Sequence, residues 1–95
     1  MNDELFEWND ANIRHLAEHG VAPEEAEDVM LGDPLEVGFE VVDGEARWSF
    51  VGETSEQRIL RVVITVRSGR MRVVTAFKPS ARSRLLFLRK RAGEQ

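Results

Sequence analysis

The sequence predicts an α+β fold, in which an antiparallel meander of four to five strands carries two N-terminal helices and one C-terminal helix. Two early segments have helical periodicity and cap residues, and the last stretch before the C-terminus is again helical. Between them, residues 35–78 read as consecutive extended segments with no helix, which favours antiparallel pairing. The expected order is β-α-α-β-β-β-β-α, in a single domain over residues 1–95, with the helices covering one face of the sheet.

The N-terminal elements follow from local patterns. Residues 5–8 alternate between apolar and polar side chains, which predicts a short edge strand. Asn9 or Asp10 can cap a helix over 11–19, and Gly20 stands where a helix C′ residue is expected.

The next three elements continue the order. A second helix is predicted over about 23–31, because proline is favoured at the first helical position. Residues 35–41 alternate as a strand with one wet face, Asp43-Gly44 is a turn, and 46–52 returns as the next strand.

The strongest hairpin signal lies at residues 58–78, where two segments rich in β-branched residues flank Ser68-Gly69. Pairing outward from Arg67 and Arg70 gives the hairpin one apolar face and one arginine-bearing face. The expected apolar face holds Leu60, Val62, Ile64, Val66, Met71, Val73, Thr75 and Phe77. The expected opposite face holds Arg61, Val63, Thr65, Arg67, Arg70, Arg72, Val74 and Ala76.

The preceding strand extends both faces. We expect Trp48 and Phe50 on the apolar face, opposite Val62 and Leu60, and Arg47 on the arginine-bearing face. A one-residue slip would bury the arginine and expose the tryptophan, so the pattern selects this register.

The last helix is predicted over 81–91, with Ser80 at its cap. It is both strongly basic and strongly apolar. Its run of four apolar residues at 85–88 is too wide for one buried stripe, so we expect part of it to contact a partner or a second copy, forming a homo-oligomer.

Composition limits the classes of function. No cysteine is present, which excludes disulfides and cysteine chemistry, and no spacing typical of metal ligands or cofactors is found. The first four residues are acidic where a signal peptide is basic, and the apolar runs are too short to span a bilayer. We therefore expect a cytoplasmic protein that contacts no membrane.

Charge is distributed unevenly along the chain. Residues 1–46 carry fourteen acidic and one basic side chain, and residues 47–95 carry three acidic and twelve basic ones. The halves have net charges of −13 and +9, within a total of −4. The split means either internal neutralisation or a basic surface for a polyanion, and the excess of arginine over lysine favours phosphate recognition.

Several residues in order resemble the start of BrnT-type toxins, a family that typically shows F-x-W-D and then N-x-x-K-H-G-[VI]-x-F-E-E-A. The residues that carry this likeness are Phe6, Glu7, Trp8, Asn9, Asn12, His15, His19, Gly20, Val21, Glu24, Glu25 and Ala26, with Asn9 in place of the family's aspartate. Downstream, the likeness continues through Asp33, Pro34, Arg47, Gly52, Ala76 and Lys78. This resemblance implies a RelE-like fold and a ribonuclease toxin of a type II toxin–antitoxin system. It also implies neutralisation by a ribbon-helix-helix antitoxin encoded beside the toxin.

Metal-independent RNA cleavage needs a base, an acid and cations that stabilise the charged phosphorane. The sequence offers Lys78, Arg82 and His19 as catalytic candidates. A structural role at a helix C-terminus is the alternative for His19, and His15 is expected on the surface. The candidates for RNA binding are Arg47, Arg61, Arg72 and Arg84, for which a solvated strand face is the alternative.

Three residues depart from the family pattern in the region that would complete the site. Phe77 stands where the family has arginine, Ser83 where it has glutamate and Phe87 where it has tyrosine. These positions favour an alternative hypothesis, in which the chain is a catalytically degenerate relative that acts as a small protein- or nucleic-acid-binding module.

Overall fold

A computed structural model describes residues 3–93, so the first two residues of the acidic N-terminus lie outside the described part. Its eight elements have the predicted order. They are β1 (Phe6–Glu7), α1 (Asp10–Glu18), α2 (Pro23–Leu31), β2 (Leu35–Val42), β3 (Glu45–Glu53), β4 (Ile59–Arg67), β5 (Arg70–Phe77) and α3 (Ala81–Arg91). In residues 3–93, no helix has the length and apolar character needed to cross a membrane.

The caps lie where the sequence places them. The Asn9 side chain accepts from the Asn12 backbone and the Asn12 side chain accepts from the Asn9 backbone, a reciprocal capping box that starts α1. Gly20 follows this helix with φ of +70°, a conformation that favours glycine. Pro23 begins α2, and Ser80 caps α3 by accepting from the Ser83 backbone.

The five strands form one mixed sheet in the order β1-β5-β4-β3-β2. Strands β2 to β5 are the predicted antiparallel meander, but β1 pairs parallel with β5, Phe6 opposite Met71. The expectation of a purely antiparallel sheet was therefore wrong. The alternation of apolar and polar residues does not show whether β1 pairs parallel or antiparallel. Strand β1 has no hairpin partner and leads instead into two helices.

Strand pairing differs from the predicted hairpin register beyond Ile64. Ile64 lies opposite Val73 as expected, but Val63 lies opposite Thr75, so Val74 is an extra residue in a bulge. The bulge reverses the faces of the remaining residues. Ala76 is fully buried in the core, whereas Thr75 and Phe77, predicted on the apolar face, lie on the arginine-bearing face.

The register between β3 and β4 is shifted by two residues from the prediction. Phe50 lies opposite Val62 and Trp48 opposite Ile64. The reason is a tight connection, in which Thr54 N donates to Arg58 O over 2.8 Å and the strands pair up to Glu53. Because a shift of two keeps every side chain on its face, the predicted assignment of both aromatic residues to the core side is confirmed.

The core lies between one sheet face and helices α1 and α2. Its buried members are Phe6, Leu16, Val21, Ala26, Val29, Leu60, Val62, Ile64, Val73 and Ala76. Helix α2 packs so closely on β3 that a Cβ at Gly52 would lie 2.8 Å from Val29 Cγ1. Trp8 also packs on this core, where its Nε1 donates to the buried Glu27 carboxylate over 2.7 Å.

Helix α3 packs against the opposite face of the sheet. It contacts β2 and β3, and Arg91 forms an ion pair with Glu53, whose side chain alternates onto the same face as Val51. Phe87 is buried there, while Leu85 and Leu86 stay exposed. The expectation that all helices cover one face was wrong, since α1 and α2 already fill the first face and Val51 needs a cover of its own.

Candidate functional site

Five arginines occupy the sheet face opposite the core, which we call the arginine face. Strand alternation and pairing place on it Arg47 of β3, Arg61 and Arg67 of β4, and Arg70 and Arg72 of β5. Apolar side chains such as Val63 lie between them and are themselves buried. The sheet therefore fixes the backbone positions from which these guanidinium groups extend, and α3 contacts β2 and β3 near Val51.

A cleft of about 380 Å³ opens where this face meets α1. Its charged and titratable lining comes from four elements, so the folded sheet brings together residues that are far apart in sequence. The lining consists of Ala11, Asn12, His15, Glu45, Arg47, Arg67, Arg72 and Val74. The bulged residue Val74 is part of this wall, which links the register change in β5 directly to the shape of the cleft.

Helix α1 is fixed beside the cleft by Asn12, which is 3% exposed. Its side-chain Nδ2 donates to the backbone oxygen of Glu7 over 3.1 Å and to that of Val73 over 3.5 Å. The same residue supplies half of the capping box, so one side chain starts the helix and joins it to β1 and β5. Because His15 lies three residues further on, it faces the same side of the helix.

The His15 ring is held by contacts on both nitrogens. Nε2 lies 3.1 Å from Thr75 Oγ1, and Nδ1 lies 3.7 Å from the Glu18 carboxylate. The His19 ring centre is 5.4 Å away, and His19 in turn lies 6.1 Å from the Phe77 ring. Two imidazoles thus stand side by side along the edge of the arginine face, one of them lining the cleft.

Glu7 neutralises part of the arginine face. Its carboxylate lies 3.7 Å from Arg67, 3.8 Å from Arg70 and 3.6 Å from Arg72. These distances exceed those of good hydrogen bonds, and Arg72 Nη1 is buried with no hydrogen-bond partner among residues 3–93. One carboxylate is therefore shared by three guanidinium groups, which leaves an excess of positive charge.

Arg47 and Arg61 have different surroundings. Arg47 Nε donates to Glu45 Oε1 over 2.9 Å, a short ion pair within one strand. Arg61 lies between Val51 and Phe77, and its buried Nε has no hydrogen-bond partner in the described part of the chain. A Cβ at Gly38 would come to 3.4 Å from Arg61 Nη2, which shows that this guanidinium lies against the backbone of β2.

The remaining residues proposed from sequence lie apart from the cleft. Lys78 and Arg84 line a second pocket of about 370 Å³ beside Arg58 and Ile59. Arg82 lies in a groove between α3 and β2. The structure thus brings Arg47 and Arg72 together and separates Lys78 from Arg82, while the catalytic roles of these two residues and His19 stay predictions.

The residues proposed from the sequence did not include two acidic residues of the site, Arg67 or His15. Glu45 stands two residues before Arg47, so strand alternation was a signal that they share a face. The same alternation placed Arg67 on the arginine-bearing face, but this residue was not among the candidates for RNA binding. Glu7 gave no signal, because its position depends on the parallel pairing of β1.

Replacing Glu7 with glutamine is expected to strengthen binding of single-stranded RNA and to weaken the fold slightly. The substitution leaves three arginines without their shared carboxylate, which costs about 0.5–1 kcal/mol of stability for partly exposed pairs. Each additional phosphate contact steepens the dependence of log K on log salt by about 0.7. Fluorescence anisotropy across a salt series measures both the affinity for RNA and the slope of log K against log salt. An unchanged slope would contradict the assignment of the arginine face to phosphate binding.

A family model described as "Ribonuclease toxin, BrnT, of type II toxin-antitoxin system" matches residues 8–82. The matched range includes α1 and all of β2 to β5, and therefore the lining of the cleft. No curated protein matches the chain.

Proposed function

The chain belongs to the BrnT family of type II toxin–antitoxin ribonuclease toxins, as its sequence resemblance implied, and we propose that it cleaves RNA in the cleft beside α1. The observation that carries this proposal is the convergence of His15 with Arg47, Arg67 and Arg72 in one cleft. A proton-transfer group and several cations at one place are what phosphodiester cleavage requires.

The arginines act on the phosphate. In the proposed mechanism Arg47 and Arg72 bind the scissile phosphate, and their charge stabilises the additional negative charge of the phosphorane. Arg61, further along the same face, binds a neighbouring phosphate of the strand. Guanidinium groups suit this task because their planar donors match two phosphate oxygens at once.

The two histidines act on protons. His15, in its neutral form, takes the proton of the 2′-hydroxyl as the 2′-oxygen attacks phosphorus. The bond from phosphorus to the 5′-oxygen breaks, and His19 as imidazolium donates a proton to that leaving oxygen. The products are a 2′,3′-cyclic phosphate and a 5′-hydroxyl. His15 is the better base of the two, since it lines the cleft and is oriented by Thr75.

We propose that this chemistry is independent of metal ions, because side chains supply both the proton-transfer groups and the positive charge. Within residues 3–93, no three His, Asp or Glu side chains are grouped as ligands of one metal ion. Lys78 and Arg84, in their separate pocket, would bind the RNA backbone away from the scissile bond.

The family description implies an antitoxin. We propose that it is a ribbon-helix-helix protein that neutralises the toxin by covering the arginine face, and that the fold is related to that of RelE-type ribonucleases. Both follow from the resemblance noted in the sequence.

A second hypothesis is a catalytically degenerate relative that only binds a protein or nucleic acid. It is favoured by Glu7 and Glu45, whose carboxylates neutralise part of the cleft, and by Phe77, which occupies the arginine face where the family has an arginine.

An Arg47→Ala/Arg72→Ala variant tests the proposal. The wild type is expected to arrest growth on expression and to cleave RNA in vitro, and the double variant to cleave at least about 10²-fold more slowly, since each lost charge-stabilising donor costs about that factor. Arg14→Ala is the matched control, because Arg14 is exposed on α1 and its Nε donates to the Asp10 backbone. If the wild type, the double variant and Arg14→Ala all cleave RNA at the same low residual rate, the non-catalytic hypothesis is favoured.

A further inference from the structure

An open groove of about 720 Å³ runs between β2 and α3, apart from the cleft. Its lining is mainly aliphatic and cationic, and Glu36 and Ser83 complete it. The lining residues that matter here are Leu35, Val37, Leu86, Arg82, Arg89 and Lys90. We propose that this groove, the α3 groove, binds an acidic polypeptide segment with aliphatic side chains on one side. The proposal rests on the proposed function in one respect, namely that the segment belongs to the antitoxin.

The aliphatic lining favours a polypeptide over RNA. Leu86 is 39% exposed, and its neighbour Leu85 is 52% exposed, which is unusual for two adjacent leucines on one short helix. Among residues 3–93, no aromatic side chain lines the α3 groove, whereas sequence-independent binding of single-stranded RNA relies on stacking of bases on aromatic rings. The aliphatic side chains of a peptide helix or strand would instead bury Leu86, the exposed leucine that lines the α3 groove, and gain its transfer free energy.

The positive charge of α3 indicates that the ligand is acidic. Helix α3 carries Arg82, Arg84, Arg89, Lys90 and Arg91 and no acidic residue. Lys90 Nζ pairs with Asp33 over 2.8 Å, but the exposed Arg82 has no ion pair among residues 3–93. Glu36 also lines the α3 groove, yet it pairs opposite Phe50 and so its side chain alternates onto the other sheet face. Carboxylates on the bound segment would therefore meet a cationic rim.

The position of the α3 groove connects it to the cleft. It lies along β2, an edge strand, on the same sheet face as the five arginines. Glu40 of β2 lies directly opposite Arg47, and it is three residues from Val37, a distance of about 10 Å in a strand. A segment anchored in the α3 groove could thus continue over Arg47 with only a few further residues. Anchoring at this place gives the antitoxin a route to cover the cleft.

A labelled synthetic peptide tests the inference. The probe is a helix-forming peptide with leucine at every third or fourth position and glutamate at the others, and binding is followed by fluorescence anisotropy. Leu86→Asp and Arg82→Glu are expected to weaken its binding by about tenfold or more, as truncation of a central contact does. Leu85→Asp and Arg84→Glu are the matched controls, since both residues lie on α3 but neither lines the α3 groove.

Two further measurements separate this inference from the ribonuclease proposal. Leu86→Asp is expected to cleave RNA at the wild-type rate, and a peptide with lysine in place of glutamate is expected not to bind. Lack of saturable binding, or equal weakening by Leu85→Asp and Leu86→Asp, overturns the α3 groove as the site. Preferential binding of an RNA oligonucleotide there overturns its ligand class. Groove-dependent peptide binding by a wild type that cleaves no RNA supports the groove and overturns the ribonuclease function instead.

Discussion

Replacing His15 with alanine is expected to lower the rate of RNA cleavage by about 10²- to 10⁴-fold, the usual contribution of a positioned general base. The ring is a member of the cleft and makes no contact in the core, so the fold and the affinity for RNA should be nearly unchanged. The measurement is kcat/KM on a labelled RNA, with KM or Kd determined separately. Loss in kcat alone would identify a group that acts in the transition state.

Two controls distinguish catalysis from structure at His15. Added imidazole should restore part of the activity of the alanine variant, which no structural role would allow. Glu18→Gln should have a small effect, since the Glu18 side chain is 72% exposed and its carboxylate lies 3.7 Å from His15 Nδ1. If His15→Ala stays active while Lys78→Ala or Arg82→Ala abolishes cleavage, the residues proposed from the sequence form the active site instead.

Local signals in the sequence were sufficient for the elements and their order. The Asn9 cap, Pro23, Ser80 and the two glycine-containing turns each have a conformational reason that acts within a few residues. Features that depend on packing across the sheet were not predictable in this way. The bulge at Val74 is one example, because hairpin counting assumes a regular ladder to the end of the strand.

In the candidate site, too, local patterns predicted some features, while others depend on packing across the sheet. Arg47 and Arg72 were placed on one face from alternation, and the folded chain brings them into one cleft. His15 is exposed, as expected, but the sequence does not show which sheet edge α1 lies along, so it did not place this residue beside the arginines. That position is set by Asn12, whose bonds to the backbone of β1 and β5 depend on the parallel strand.

Charge pairing explains much of the uneven distribution along the chain. Acidic residues of the first half pair with basic residues of the second, as Glu7 does with three arginines and Glu25 does with Arg58 over 3.1 Å. Internal neutralisation is therefore present, and it leaves part of the arginine face with an excess of positive charge. Among residues 3–93, Arg61 is the cation of the arginine face without an ion pair, and its guanidinium lies against Gly38 of β2.

Replacing Phe6 with alanine is expected to lower the free energy of unfolding by about 3–5 kcal/mol, the usual cost of removing a buried aromatic side chain. The side chain is 1% exposed, belongs to the core and stacks on Trp8 with ring centres 6.5 Å apart. A domain of this size has a total stability of about 5–15 kcal/mol, so the loss is a large part of the whole. Urea unfolding followed by tryptophan fluorescence measures it.

The neighbouring Leu5→Ala is the matched control for this prediction, because Leu5 is 43% exposed while its backbone oxygen accepts from Met71 N in the same strand pair. It should change stability by no more than about 0.5 kcal/mol. Since Phe6 anchors the strand that carries Glu7, its loss should also release that carboxylate and make RNA binding by the remaining folded protein more salt-dependent. Equal destabilisation by the two variants would mean that backbone pairing, rather than the buried ring, holds β1 against β5.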